Sequence, residues 1–83
     1  MYQIFYSYPN NSFLVMDKLE NKHTGWRNPI SDYFFHSIPR PMQGSTANIL
    51  TYLQKVNSSS KVYYLGEYMS IPNFYIANPH LFV

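Results

Sequence analysis

The distribution of charge constrains this chain more than any other feature of its sequence. All charged residues lie between Asp17 and Glu67, so the first sixteen and the last sixteen residues carry none. Both ends are instead rich in Tyr, Phe, Ile, Leu and Val. Exposed tails are usually charged or of low complexity. Both ends are therefore predicted to be structural elements that belong to the folded body or to an interface, and both are expected to lie in or beside one sheet.

The length of 83 residues, beginning at Met1, fits one complete small domain spanning residues 1–83. The chain contains no cysteine, so neither a disulfide nor a thiolate metal site is expected to support its core. Its apolar runs are far shorter than the roughly 20 residues that cross a bilayer. The N-terminus also lacks the pattern of a secretory signal. We expect a soluble protein of the cytoplasm, without a membrane partner.

Charged residues make up 12% of the chain and aromatic residues 19%, whereas soluble domains usually contain roughly 25% charged residues. The net charge of +2 is too small to indicate nucleic acid as the main partner. The abundance of asparagine, tyrosine, phenylalanine and isoleucine indicates AT-rich codons. Such a bias is common in phages and other mobile elements, and a phage protein would act in the host cytoplasm.

A β-hairpin is predicted at the N-terminus. Residues 2–8 alternate with a period of two and favour β structure. The Pro-Asn-Asn sequence at 9–11 is typical of a turn, and an apolar run resumes over 12–18. The charged stretch from Asp17 to Gly25 is then predicted to be a strand end and a solvated loop.

The middle of the chain is interrupted by Pro29, Pro39 and Pro41, which confine any regular element to about 31–38. A short helix is predicted there, and a short strand is the alternative, because strands also accept the aromatic residues of this segment.

The clearest helix is predicted over about 46–56. Ser45 or Thr46 can cap its N-terminus, and the Asn-Ser-Ser-Ser run at 57–60 ends it. Its apolar residues fall on one face: Ile49, Leu50, Leu53 and Val56.

The last third of the chain is predicted to be mainly β structure. Residues 61–65 favour a strand, and 66–67 fit a two-residue hairpin loop from which a strand returns. A bulge at Gly66 within one long strand is the alternative. After a turn at 72–73, a final short strand is predicted over 74–76.

Together these elements predict an α+β domain. It contains a small, mostly antiparallel sheet of four to five strands, with one main helix (about 46–56) packed on one face and a short helix at about 31–38. What covers the other face of the sheet is left open by the sequence.

The chemistry-bearing residues form no recognisable catalytic pattern. His23, His36 and His80 lack the spacing of a metal site, so neither a metal nor a cofactor is expected. Asp32 and His36 would lie four residues apart on a helix and could orient a general base. An ordinary hydrogen-bonded pair explains that spacing better. The carboxylates are scattered, and no phosphate loop or serine-hydrolase elbow is present. A non-enzymatic protein is predicted.

Tyrosine is the residue type that best fits a binding role, because it supplies large contact area at low entropic cost and its hydroxyl tolerates water. We predict a small protein-binding module that binds a protein partner, or a second copy of itself as a homodimer, through an uncharged tyrosine-rich sheet face. The competing interpretation is that such tyrosines half-cover a small core. The codon bias extends this prediction by analogy to a phage-encoded inhibitor of a host system, such as an anti-CRISPR. The predicted partner-binding residues are Tyr2, Tyr6, Tyr8, Tyr63, Tyr68 and Tyr75.

An alternative prediction is binding of single-stranded nucleic acid or RNA, because the segment 26–40 interleaves aromatic residues with both arginines of the chain. The residues predicted to carry it are Trp26, Arg27, Tyr33 and Arg40. Two arginines and four lysines neutralise few phosphates. Nucleic acid is therefore the less favoured partner.

Overall fold

The structure is a computed structural model, and it describes residues 1–17, 19, 22–27 and 45–82. These residues form one antiparallel four-stranded sheet and two α-helices, which confirms the predicted α+β class and strand number. The predicted element at 31–38 lies outside the described residues. The strands are β1 (Tyr2–Tyr8), β2 (Ser12–Asp17), β3 (Lys22–Arg27) and β4 (Lys61–Tyr68), and the helices are α1 (Thr46–Val56) and α2 (Ile71–Ala77), followed by a 3-10 turn (Pro79–Phe82).

The predicted N-terminal hairpin is confirmed. β1 and β2 pair antiparallel from Tyr2 opposite Asp17 to Ser7 opposite Ser12. In the connecting turn, Asn11 adopts a φ of 52°, a left-handed conformation that asparagine tolerates better than most residues. The sheet has the order β3-β2-β1-β4, so this hairpin is its centre.

The prediction of a loop up to Gly25 is wrong, because Lys22–Arg27 forms the edge strand β3. A bulge explains why this strand shows no alternation. The register leaves both Thr24 and Gly25 opposite Val15, and the N–H of Val15 donates to the hydroxyl of Thr24 at 3.0 Å. One extra residue shifts the side chains by half a period and conceals the strand in the sequence.

The stretch from Lys61 to Tyr68 is one continuous strand, so the predicted hairpin at 66–67 is wrong and the alternative, a bulge at Gly66, is confirmed. Phe5 pairs with Tyr64 and Ile4 with Gly66, which leaves Leu65 as the extra residue. Gly66 has a φ of 104°, a conformation that residues with a Cβ rarely adopt.

The predicted turn at 72–73 and strand at 74–76 are wrong, because these residues belong to α2. Ser70 caps this helix by accepting a hydrogen bond from the N–H of Asn73 at 3.2 Å. Pro72 lies in the first turn, where its missing N–H costs nothing. The C-terminal end therefore lies beside the sheet as a helix, and not within it as a strand.

Helix α1 has the predicted bounds, and the hydroxyl of Ser45 caps it by accepting from the N–H of Asn48 at 3.2 Å. Ile49 and Leu53 are buried. Val56 is exposed, although the spacing places it on the predicted apolar face. The last residue of the helix therefore does not pack on the core that buries Ile49 and Leu53.

The sheet is the middle of three layers. On one face, α1 packs on a core of Phe5, Leu14, Met16, Ile49, Leu53 and Val62. On the other face, α2 packs on a core of Ile4, Phe13, Val15, Ile71 and Phe74. Successive residues of a strand point to opposite faces, so β1 and β2 each supply both cores. Helix α2 thus covers the face that the sequence leaves open.

Candidate interaction surface

The structure brings all six predicted partner-binding tyrosines to the α2 side of the sheet. Tyr2, Tyr6 and Tyr8 share a face with Ile4 through the alternation of β1. Tyr63 stands opposite Tyr6 and Tyr68 opposite Tyr2, which places both on the same face. Tyr75 belongs to α2 itself. The bulge in β4 is required for this arrangement, because five residues without one would set Tyr63 and Tyr68 on opposite faces.

Four of these tyrosines are half-buried supports of the core. The partly buried residues that pack on the α2-side core include Tyr2, Tyr6, Tyr68 and Tyr75. The ring centroid of Tyr6 lies 5.1 Å from that of Phe13, and the ring of Tyr68 lies 5.1 Å from that of Phe74. These contacts agree with the competing interpretation, in which the tyrosines half-cover a small core.

Tyr8 and Tyr63 differ from the other four, because 59% of Tyr8 and 44% of Tyr63 is exposed. The two rings belong to neighbouring strands. Lys61 pairs with Tyr8 across these strands, and its Nζ lies 6.0 Å from the centroid of the Tyr63 ring. Tyr6 supports Tyr63 from the other side at 6.5 Å. The result is two accessible tyrosines on neighbouring strands, with one positive charge beside Tyr63.

Helix α2 extends this side with apolar, uncharged surface. Ile76 is 78% exposed on the helix, and Met69 is exposed at the bend that leads into it. Residues 68–82 contain no charged side chain. We refer to Tyr8, Lys61, Tyr63 and Ile76 together as the α2-side surface.

The opposite side of the molecule carries a shallow groove of about 470 Å³ between α1 and the start of β4. It is lined by Leu50, Thr51, Gln54, Lys55 and Val62. Lys55 is the only ionisable residue among these described lining residues, so they supply no acid–base pair. An exposed tyrosine, Tyr52, also lies on this helix.

A polar cluster that the sequence did not reveal surrounds Gln3, which is fully buried on the α1 side of β1. Its Nε2 lies 2.6 Å from the hydroxyl oxygen of Thr46, 3.3 Å from a carboxylate oxygen of Glu67 and 3.4 Å from the phenol oxygen of Tyr64. Burial raises the pKa of the Tyr64 phenol, and the hydrogen bond from Gln3 opposes that rise. The one sequence feature that could have revealed this cluster is a glutamine at position 3 of the predicted strand, on the same side as the apolar Phe5.

The cluster around Gln3 contains one carboxylate and neither a nucleophilic thiol nor an imidazole. Within the described ranges, no group of three or more His, Asp or Glu residues is placed to hold a metal ion. Asp32 and His36 lie outside these ranges. His23 lies in β3, where its Nδ1 accepts a hydrogen bond from the N–H of Gly25 at 3.1 Å.

Two of the residues predicted to bind nucleic acid are described, and they do not share a face. Trp26 packs on the α1-side core. Arg27 follows it in β3 and stands opposite Phe13, a residue of the α2-side core. The guanidinium of Arg27 donates to the carbonyl of Trp26 at 2.9 Å. Tyr33 and Arg40 lie outside the described residues.

Comparison with known proteins leaves function to be argued from this geometry, because no family model, curated protein or solved structure matches the chain. Among the helices of the described residues, none combines the length and the apolar character needed to cross a membrane.

Proposed function

We propose that this chain is a small non-enzymatic protein-binding module that docks through its α2-side surface. The observation that carries the proposal is the accessible pair Tyr8 and Tyr63, placed on the same side of the sheet as the exposed Ile76 and a C-terminal segment without charge. Interface cores are enriched in aromatic residues and depleted of charge. Of the six tyrosines predicted to bind, these two are the ones available to a partner.

The setting of these rings favours binding. Tyr8 and Tyr63 are fixed by neighbouring strands, and Tyr63 is further flanked by Tyr6 and Lys61. A rigid aromatic side chain loses little conformational freedom when a partner covers it, so more of the contact energy contributes to affinity. The single ammonium of Lys61 favours a partner that offers a carboxylate or carbonyl beside an apolar patch.

The partner is another protein or a second copy of the chain. The AT-rich codon usage implied by the composition supports a phage or mobile-element origin, and inhibitors of host systems, such as anti-CRISPR proteins, are often small modules without catalysis. This finer proposal rests on composition and on the lack of catalytic pattern in the sequence.

The test is the double variant Tyr8→Ser/Tyr63→Ser, with Tyr52→Ser as the matched control. Tyr52 is an exposed tyrosine on α1, so its loss removes similar surface from the opposite side. Self-association is measured by light scattering over a dilution series, and binding of other proteins by quantitative cross-linking in extracts. We expect the double variant to lose association while keeping its circular dichroism spectrum, and the control to behave as wild type. Equal association of all three proteins contradicts the proposal.

Single-stranded nucleic acid is the alternative partner, and the dependence of binding on salt separates it from protein. Contacts to several phosphates weaken steeply as salt rises, whereas apolar docking changes little. Anisotropy of a labelled single-stranded oligonucleotide at low and high salt should show no specific binding. Tight binding that salt abolishes, and that is lost on Trp26→Ala or Arg27→Ala, would establish the alternative instead.

A further inference from the structure

Strand β4 lies at the edge of the sheet, so its outer side faces no other strand of the described chain. Exposed strand edges present free N–H and C=O groups to other chains, and proteins limit the resulting aggregation with charges, bulges or coverings. β4 carries Lys61 at its start and Glu67 near its end. The question is what covers the backbone groups between them.

The side chain of Gln54, from α1, covers the first of these groups. The N–H of Val62 donates to Oε1 of Gln54 at 2.9 Å, so this N–H points away from β1. In return, Nε2 of Gln54 donates to the carbonyl of Ser60 at 2.8 Å. A carboxamide presents one acceptor and one donor side by side, as the backbone of an adjacent strand does. The Gln54 amide thus occupies the place of a fifth strand at the start of β4.

Beyond Gln54, the part of the edge that no described residue covers is short. Tyr64 lies two residues after Val62 and before the bulge, so its N–H and C=O point to the same outer side. The bulge at Leu65 then interrupts the ladder, and the Leu65 carbonyl accepts a hydrogen bond from the phenol of Tyr68 at 2.7 Å. A chain approaching this edge needs both Val62 and Tyr64, and the Val62 position is already filled.

We propose that Gln54 is an intramolecular guard that prevents β4 from pairing with β4 of a second copy. When the amide is removed, Val62 of one copy can pair with Tyr64 of the other around a two-fold axis at Tyr63. This register pairs only residues 62–64, which lie before the bulge, and joins the four described strands of each copy into one sheet of eight strands. The inference does not rest on the proposed function, because it concerns the backbone edge of β4, although the side chain of Tyr63 at the axis also belongs to the α2-side surface.

The first test replaces Gln54 with methionine, which has similar length and helix propensity but no strong hydrogen-bonding group. Lys55→Met is the matched control. It adds the same side chain to the same groove and removes a charge. The hydrogen bonds from α1 to Ser60 and Val62 come from Gln54 and not from Lys55. We expect Gln54→Met to self-associate at least about ten-fold more tightly than wild type or control, because the two symmetry-related Val62–Tyr64 pairs would each exchange two backbone hydrogen bonds.

The second test locates the new contact by disulfide formation. The chain has no cysteine, so Tyr63→Cys introduces a single thiol at the predicted axis. Directly opposed residues of a non-hydrogen-bonded antiparallel pair have Cα atoms about 4.5 Å apart, which is within disulfide range. Oxidation should cross-link the double variant Gln54→Met/Tyr63→Cys much faster than Tyr63→Cys alone. Equal rates would assign any association to another surface and overturn the proposal.

A third measurement needs no variant and decides the matter if Gln54→Met does not fold. Hydrogen exchange of the wild-type protein should show a protected Val62 amide and a rapidly exchanging Tyr64 amide, although both face the outer edge. If the Val62 amide exchanges as fast as that of Tyr64, Gln54 does not guard the edge. Unchanged self-association of a folded Gln54→Met protein leads to the same conclusion.

Discussion

The buried amide of Gln3 links the central strand to the start of α1. Its shortest hydrogen bond, 2.6 Å, is to Thr46, the first residue of that helix. An amide nitrogen has two hydrogens, whereas three oxygens lie near the Nε2 of Gln3. One hydrogen is used for Thr46, so the longer contacts to Tyr64 and Glu67 share the second hydrogen. Among the described residues, the buried Oε1 of Gln3 has no hydrogen-bond partner. The contact fixes the helix on the sheet and leaves this acceptor unpaired within the described part of the chain.

The phenol of Tyr64 predicts how stability responds to alkaline pH. Burial raises its pKa in the folded protein above the value of the unfolded chain. A raised pKa contributes stability that is fully present below about pH 10, where the unfolded tyrosine is protonated. It is lost as the pH rises through the folded pKa, because the unfolded chain then ionises first. We therefore expect Tyr64→Phe to lose less stability between pH 8 and pH 11 than wild type.

Thermal melting at the two pH values measures this difference, and Tyr52→Phe serves as the control at an exposed tyrosine of α1. The control should show the wild-type alkaline loss. An alkaline loss in Tyr64→Phe as large as that of wild type would show that the Tyr64 phenol contributes no pH dependence.

At the scale of elements, the local sequence was sufficient where the spacing of apolar residues and the residues that start or end the element indicated the same structure. The hairpin of β1 and β2 and the helix α1 follow from alternation, a Pro-Asn-Asn turn and the cap Ser45. The same signals failed for β3, because its bulge breaks the period of two. They predicted the wrong element for α2, since Ser70 and Pro72 start a helix but suit a turn equally well. Without a covering layer, the apolar face of Ile4, Phe13 and Val15 would be exposed, and helix α2 buries it. The need for that layer is not visible in the local sequence of 70–77.

The bulge in β4 predicts the effect of replacing Gly66 with alanine. A Cβ at this position would meet its nearest neighbour, the Tyr68 phenol oxygen, at 3.6 Å, which is an ordinary contact. The cost must come from the backbone, because a φ of 104° is unfavourable for any residue with a Cβ. We expect Gly66→Ala to retain the fold and to lower the free energy of unfolding by about 1–2 kcal/mol.

Urea denaturation measures this loss, and Lys61→Ala is the control on the same strand. The control should change stability by less than about 0.5 kcal/mol, because Lys61 is exposed. If Gly66→Ala is as stable as wild type, the positive φ is not a requirement of the bulge.

At the scale of the whole molecule, the two uncharged ends have different structural roles. The N-terminal end forms the central hairpin, and the C-terminal end forms the layer that covers its second face. The sequence predicted that six tyrosines share a binding face. Strand alternation places the tyrosines of β1 on one side, whereas Tyr68 joins Tyr63 there through the bulge in β4 and Tyr75 lies there through α2. The sequence could not predict that Tyr8 and Tyr63 alone among them stay exposed, because that depends on where α2 lies across the sheet.

The three-layer arrangement predicts that α2 cannot be removed. Deleting residues 71–83 would uncover Ile4, Phe13 and Val15, which are fully buried. It would also remove Ile71 and Phe74, and burial of two such side chains contributes about 3–6 kcal/mol. That is comparable to the total stability of a small domain, about 5–15 kcal/mol. We expect the truncated chain to lose its cooperative unfolding transition and to bind a hydrophobic dye.

The control for this deletion removes only residues 79–83. It keeps α2 and takes away the 3-10 turn, of which Leu81 packs on the edge of the α2-side core. This shorter deletion should lower the melting temperature while leaving a single cooperative transition. If the chain without residues 71–83 also unfolds cooperatively, the sheet and α1 form a sufficient core. The uncharged C-terminal segment would then be available as a whole to a partner, and the α2-side surface would include the face that α2 now covers.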